Sequence, residues 1–316
     1  MTRIVFMGTP EFAVPSLDAL CDAGFDVVGV FTQPDRPAGR GNKLTACPVK
    51  ARALQRGLNV LQFEKIRRPE GVEALRALKP DVVVTAAFGQ ILTREILDIP
   101  GRGTVNVHAS LLPAYRGSAP INWAILNGER ETGVTLMLTD VGIDTGDMLG
   151  RVATPIGELE TAGELTARLS ELGARLLAEL LPGYLDGSIV PEKQDEAKAS
   201  YLPMLNKGMG EIDWSRDAGA IACQVRGLNP WPGAVTELNG SPLKLHLARA
   251  VESDSDAAPG TVIVSGPKSG LVVKCGAGAL EVLELQAQGG KRLAAKAYLA
   301  GKRIDAGTRL GKDGGQ

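Results

Sequence analysis

Histidine is almost missing: the 316 residues hold two, His108 and His246. A histidine-rich metal site is thereby excluded, as is any mechanism that needs several imidazoles. Cysteine is nearly as scarce. Cys21, Cys47, Cys223 and Cys275 stand 26, 176 and 52 residues apart, spacings that fit no metal-ligand motif and read as thiols in a reducing, cytoplasmic setting. Aromatic residues make up 4%, too few for a broad platform on which single-stranded bases stack. Long apolar runs are lacking too. The stretch Val82–Thr93 is broken by Thr85, Gly89 and Gln90 and falls short of the roughly 20 residues that a membrane span needs. The first eight residues contain no long apolar segment, so no signal peptide is expected. The turn Gly8-Thr9-Pro10 after the first apolar run has neither a GxGxxG spacing nor a Lys-Ser/Thr pair. A nucleotide dehydrogenase or a P-loop enzyme is set aside on that ground.

What is present is ordinary globular material. Hydrophobic residues make up 44% and charged residues 22%, enough for a sizeable core. The length admits one large domain or two. The net charge of −1 is unevenly spread. Residues 265–316 carry nine Lys or Arg against four Asp or Glu, which leaves −6 for the rest. Such a basic end suits a polyanion, although a solvated surface would look the same.

Up to about residue 155, short apolar runs alternate with helical patterns. The runs are Ile4–Met7, Val27–Phe31, Val82–Val84, Gly103–His108 and Thr135–Leu138. Helices are expected from Pro15 to just before Gly24, over Pro48–Arg56 and over Pro69–Leu78. Continuous apolar strands between helices imply a parallel sheet covered on both faces. Thr161 and Glu164 form a capping-box pattern ahead of a helix to Leu181. Its leucines 165, 169, 172, 176 and 180 make a core-facing stripe. Residues 187–207 are rich in charge and read as a connector. A short helix over Ala218–Val225 follows. Strand-like pieces then come at Ala234–Leu238, Leu243–Val251, Thr261–Val264, Leu271–Lys274 and Leu280–Leu285, the pattern of a small barrel or sandwich. The expected division is 1–188, a connector 189–207, and 208–316.

Ligands of parallel sheets bind beyond the carboxyl ends of the strands. There, Asn106 and His108 share one face of a strand while Val105 and Val107 take the other. Two adjacent polar side chains need partners if buried. They are either a structural hydrogen-bonded pair or an amide and an imidazole facing a cleft. Asp140, Asp144 and Asp147 lie in a glycine-rich loop where aspartate often forms turns. A carboxylate reaching His108 would orient the ring and stabilise positive charge on it. The loop Thr32–Leu44 holds three cations, Arg36, Arg40 and Lys43, against one anion. A loop that long within a compact α/β domain is usually functional.

Three segments carry a resemblance: Gln33–Gly41, Asn106–Pro120 (NVHASLLPAYRGSAP) and Glu131–Leu149 with its Asp140-Val141-Gly142-Ile143-Asp144-Thr145-Gly146-Asp147 core. Together with Asn229-Pro230-Trp231-Pro232-Gly233-Ala234 they resemble the methionyl-tRNA formyltransferases, a branch of the folate-dependent formyltransferases. The likeness runs from Arg3 to about Tyr298. The Asn106–Gly117 stretch is shared by the whole folate-dependent class, including glycinamide ribonucleotide and amino-sugar formyltransferases and formyltetrahydrofolate hydrolases. The basic loop favours the tRNA branch.

The resemblance implies a Rossmann-like, mostly parallel α/β sheet with helices on both faces, followed by a small OB-like β-barrel. It implies transfer of a formyl group from 10-formyltetrahydrofolate, as co-substrate and with no metal, to the α-amino group of initiator methionyl-tRNA, by a monomer. Asn106, His108 and Asp144 take the catalytic positions. Phe88, Gly89, Gln90 and Ile91 line the pterin pocket, and Ser110, Leu111, Leu112 and Pro113 complete the folate site. Arg36, Arg40 and Lys43 approach the acceptor end of the tRNA. Met204 stands where relatives often carry lysine, so no tRNA contact is assigned there.

Overall fold

The computed structural model describes residues 1–38 and 43–311, with the side chains of Ala38 and Lys43 left aside. The chain forms two compact units. The first comprises Met1–Gly117, Thr132–Thr154 and Thr166–Leu202; the second comprises Ser118–Glu131, Pro155–Leu165 and Pro203–Gln316.

The strands of the first unit are β1 (Arg3–Gly8), β2 (Asp26–Thr32), β3 (Arg36–Ala38), β4 (Lys43–Thr45), β5 (Val60–Gln62) and β6 (Val82–Ala86). They continue with β7 (Thr104–His108), β8 (Arg116–Gly117), β9 (Glu131–Leu138), β10 (Met148–Pro155) and β11 (Tyr201–Leu202). Seven build one sheet in the order β10-β9-β7-β6-β1-β2-β5. β5, β2, β1, β6 and β7 run parallel, and β9 runs antiparallel to β7. The strand order reverses at β1, so a crevice opens beyond Gly8 and Ala86, the usual place for a ligand in such a sheet.

The register decides which side chains share a face. Val5 and Met7 of β1 align with Val83 and Thr85 of β6, and these with Thr104 and Asn106 of β7. On that face Val5, Met7, Phe31 and Val83 pack with Val72 and Leu75 of the helix Pro69–Ala77 and with Ile96 of the helix Arg94–Leu97. The opposite face presents Val107, and the helix Ala162–Asp186 approaches it so closely at Gly173 that a Cβ there would lie 2.7 Å from Val107 Cγ1. Helices therefore cover both faces. Fully buried strand residues such as Ile4, Val5, Val83 and Val84 each contribute roughly 1.5–3 kcal/mol by leaving water.

The second unit carries β12 (Ala234–Leu238), β13 (Ser241–Val251), β14 (Val262–Gly266), β15 (Gly270–Lys274), β16 (Ala279–Ala287) and β17 (Leu293–Ala294). The order is β12-β13-β16-β15-β14, with β17 on β16, and the pairs are antiparallel. The two edges are seamed by one segment. Leu310 bridges to Leu238 of β12, and Arg309 bridges to Thr261 beside β14. The sheet thereby closes on itself around Leu243, Leu245, Leu271, Val273, Leu280 and the helix residues Ile221 and Val225. That helix, Ala218–Gly227, is capped by Asp217, whose Oδ1 accepts from Gly219 N and Ala220 N.

Three sequence expectations meet a different arrangement. Residues 189–202, read as part of a connector, belong to the first unit. There β11 pairs with β8, and Gln194 is buried. A run that looks hydrophilic can still be packed when its polar groups have partners. The leucine stripe is rotated: Leu165, Leu169 and Leu176 are buried, Leu172 and Leu180 only partly, and Leu177 and Leu181 take the core side. The helix also runs through Pro182 to Asp186, where Tyr184 donates to the Arg102 carbonyl.

Candidate active site

The carboxyl end of β7 places Asn106 and His108 on one face, as alternation requires. Thr85 Oγ1 on neighbouring β6 donates to Asn106 Oδ1 at 2.8 Å. This fixes the amide's orientation, because the hydroxyl satisfies the carbonyl oxygen and leaves the NH2 on the other side. Asn106 Nδ2 has no hydrogen-bond partner among the described residues. It is an oriented donor with free valences at the mouth of the sheet.

His108 is 6% exposed. Its Nε2 lies 3.0 Å from the Tyr115 carbonyl oxygen. A carbonyl can only accept, so Nε2 carries the proton of that bond. Nδ1 is then the nitrogen free to exchange a proton, and it faces Asp144 Oδ1 at 3.6 Å. That distance is an ion-pair approach and longer than a hydrogen bond; catalytic contacts commonly shorten once substrate is bound.

Asp144 sits on a loop whose shape is dictated locally. Asp140 Oδ1 accepts from Gly142 N and Thr145 Oγ1. Gly146 passes so near β9 that a Cβ there would fall 1.9 Å from the Leu138 carbonyl oxygen; only glycine fits. Asp144 itself has φ +52°, a left-handed conformation that aspartate tolerates better than most residues. Its Oδ2 accepts from Gly117 N at 2.8 Å. Oδ1 is left toward His108. Asp140 thus shapes the turn, whereas Asp144 reaches the imidazole.

The expected folate residues divide by how they are used. Ser110 Oγ donates to the Ala114 carbonyl, and buried Thr135 ties the turn by donating to Ser110 O and accepting from Leu112 N. Leu112 is fully buried and braces the turn from within. Pro113 is buried as well, and Leu111 is half-buried. On β6's side Phe88 packs into the core. Gly89 has φ +78°, and Ile91 is 71% exposed. The Gln90 side chain is fully engaged, accepting from Ile66 N and donating to Phe63 O. A pocket lined by Gln33, Glu64, Lys65, Arg67, Gly89, Gln90 and Ile91 opens beside it. Of these residues, the Ile91 side chain is exposed, while that of Gln90 is taken up by the protein.

Arg36 donates to Glu64 Oε2 at 2.6 Å, with both side chains more than half exposed. Arg40 and the side chain of Lys43 lie outside the described residues. Among the described residues no cluster of His, Cys, Asp and Glu is placed to hold a metal ion.

Several residues at the site gave no signal of their own in the sequence. Thr85 and Thr135 looked like ordinary strand residues. Gln194 donates to both Asp144 O and Gly146 O from a stretch that read as a connector. Arg116 lay inside the motif quoted above, but that it is fully buried, with Gln194, Glu196 and Tyr201 around its guanidinium, needed the structure.

Comparison with known proteins identifies the family. The family described as "Formyl transferase" matches residues 2–181, and "Formyl transferase, C-terminal domain" matches residues 204–303. The methionyl-tRNA formyltransferase of Trichlorobacter lovleyi is 54% identical over 308 residues, spanning 98% of this chain and 96% of its own. That of Geobacter sulfurreducens is 51% identical over 312 residues, spanning 99% and 98%. Among solved structures, the N-formyltransferase from Helicobacter canadensis in complex with folinic acid and dTDP-3-aminofucose shares the fold. It has a TM-score of 0.65 at 20% identity, over 89% of this chain and 99% of that one. With both halves matched and the likeness running end to end, the chain belongs to the formyl transferase family.

Proposed function

We propose that the chain transfers the formyl group of 10-formyltetrahydrofolate to the α-amino group of methionine on initiator tRNA, giving N-formylmethionyl-tRNA. The observation that carries the mechanism is the Asn106 amide, locked by Thr85 with its NH2 free, beside an imidazole and a carboxylate. End-to-end identity of about half to curated methionyl-tRNA formyltransferases supports the tRNA as acceptor.

The attacking amine needs little activation, because an α-amino group titrates at about 7.7–8.0 and part of it is neutral near pH 7. The missing element is stabilisation of negative charge on the formyl oxygen. A donor aimed there is worth about 3–4 kcal/mol, and Asn106 Nδ2 is such a donor. His108, when protonated at Nδ1 as well as Nε2, adds positive charge beside that oxygen, with the Asp144 carboxylate facing Nδ1. The new N–C bond forms as the amine attacks, and the C–N bond to the folate then breaks. Asp144 and His108 take the proton from the new ammonium and return one to the departing nitrogen. Folate contacts come from the turn Ser110–Pro113 and from Phe88–Ile91, and the co-substrate supplies the electrophilic carbon.

For the tRNA, the phosphates call for cations, and each contact adds to a steep salt dependence. Arg36, Arg40 and Lys43 in the loop, together with the basic segment 265–316, meet that need. Among the described residues no helix is long and apolar enough to cross a membrane. The reading places the enzyme in the cytoplasm as a monomer.

The test is formylation of charged initiator tRNA with 10-formyltetrahydrofolate, run beside a dTDP-amino sugar. Product with the tRNA is expected. Turnover of the sugar amine with none on the tRNA would reassign the acceptor.

A further inference from the structure

We propose that Gln194 is a positioning residue for formyl transfer, its side-chain amide joining the buried Arg116 guanidinium to the backbone of Asp144. The proposal rests on the reading that Asp144 acts in the chemistry.

All four hydrogen-bonding valences of this amide are used. Gln194 Oε1 accepts from Arg116 Nε at 3.1 Å and Nη2 at 2.8 Å. Its Nε2 donates to Asp144 O at 2.8 Å and Gly146 O at 2.7 Å. A flipped amide would set oxygen against two carbonyl oxygens and NH2 against a guanidinium, so the orientation is determined. The anchor at the far end is firm. Arg116 is fully buried, and its remaining N–H groups reach Glu196 Oε1 and Oε2 at 2.7 and 2.9 Å and the Tyr201 hydroxyl at 2.8 Å. All five donors of the fork are satisfied, the condition under which a buried guanidinium is tolerated. Glu196 holds the Arg116 pKa well above the ordinary arginine value.

Asp144 needs such holding. Its left-handed backbone is unfavourable for an L residue and persists when its surroundings over-determine it. Two contacts do this, and both trace to Arg116. One is the Gln194 amide on the Asp144 carbonyl. The other is the peptide N–H of the next residue, Gly117, on Asp144 Oδ2, in the strand β8 that pairs with β11. With backbone and Oδ2 both held, Oδ1 is left facing His108 Nδ1. A misplacement of about 1 Å in such a group can cost about 100-fold in rate.

Gln194→Glu isolates the idea. Glutamate keeps the volume and the bond to Arg116 but sets an oxygen against the carbonyls of Asp144 and Gly146. The experiment is steady-state formylation by the full chain, in the parent and in an Asp144→Asn background. The expected result is a kcat lowered about 10- to 100-fold, with KM for folate and tRNA within about threefold. No further loss is expected when Asp144 is already Asn, because a residue acting through Asp144 has nothing left to position. A purely structural role would lower the rate equally in both backgrounds, and that result overturns the proposal. So does a kcat within about twofold of the parent. Asp144→Asn alone separates the two levels. If it leaves the rate intact, the assignment of Asp144 to the chemistry fails; if it abolishes turnover while Gln194→Glu does not, only the present proposal fails. Should Gln194→Glu not fold, Glu196→Gln loosens the same clamp from its exposed end. It is expected to lower kcat about two- to fivefold with the same non-additivity, and a loss that adds to Asp144→Asn overturns the proposal.

Discussion

Two polar networks stand at the carboxyl edge of one sheet, and they differ in how completely they are closed. Beyond β1 and β2, Thr9 Oγ1 donates to Phe88 O and accepts from Gln33 N. Gln33 Nε2 donates to Gly89 O, and Gln62 Nε2 donates to Gln33 O and Asp35 Oδ1. Lys50 bonds both Asp35 at 2.6 Å and Gln62 at 2.7 Å. These groups satisfy one another. Beyond β6 and β7, the Asn106 NH2 has no partner among the described residues and His108 Nδ1 meets Asp144 only at 3.6 Å. A closed network builds scaffold; here it fixes the base of the loop that carries Arg36. An open one leaves valences for a ligand, and on the proposed function those of Asn106, His108 and Asp144 are kept for the reaction.

The sharpest way to break this contrast is His108→Ala. Turnover with charged tRNA is expected to fall about 1000-fold, with tRNA affinity within about twofold by filter binding. A retained rate would remove the open network from the chemistry. Thr85→Val comes next. It frees the Asn106 amide to rotate without touching substrate, and kcat is expected to fall about tenfold at a stability cost of about 1 kcal/mol. An unchanged kcat would mean that the amide's orientation is not set by Thr85.

Lys50→Met addresses the closed network. Melting is expected about 2–4 °C lower while kcat at saturating tRNA stays within about twofold; a large kcat loss would erase the distinction between the two networks. Lys50, and then Gln62, hold the Asp35 carboxyl below its ordinary range. A carboxyl whose folded-state pKa is depressed adds stability above its unfolded value, and that contribution is lost as pH falls through the folded value. The melting difference between parent and Lys50→Met is therefore present at pH 7 and shrinks below about pH 4. The smallest effect belongs to Glu64→Gln, which releases Arg36 from an exposed pair. Affinity for tRNA is expected to rise about two- to threefold at low salt and the gain to vanish at high salt; an unchanged affinity would take Arg36 out of the tRNA contact.

Legibility in the sequence followed locality. β6 is a run of apolar β-branched residues bounded by turns, and it read as a strand because burial on both faces leaves no other pattern. Asn106 and His108 were readable together because a period of two puts them on one face. Asp144 could be named through the resemblance, but its approach to His108 depends on a loop closing across 36 residues of chain. Gln194 was illegible: its partners Asp144 and Arg116 lie 50 and 78 residues away, and its neighbours in sequence are charged. The leucine stripe misled toward its carboxyl end, where Leu176-Leu177 and Leu180-Leu181 set two leucines side by side and spacing alone does not say which lies deeper.

On the proposed mechanism the free valences of Asn106, His108 and Asp144 converge on the transferred carbon. A crystal structure with a non-reactive 10-formyltetrahydrofolate analogue tests it most directly. The formyl oxygen is expected at roughly 3 Å from Asn106 Nδ2, with the Asp144–His108 approach shortened to hydrogen-bond length. A one-carbon unit bound elsewhere, with Asn106 Nδ2 left to solvent and the Asp144 carboxylate turned away from the ring, would contradict it.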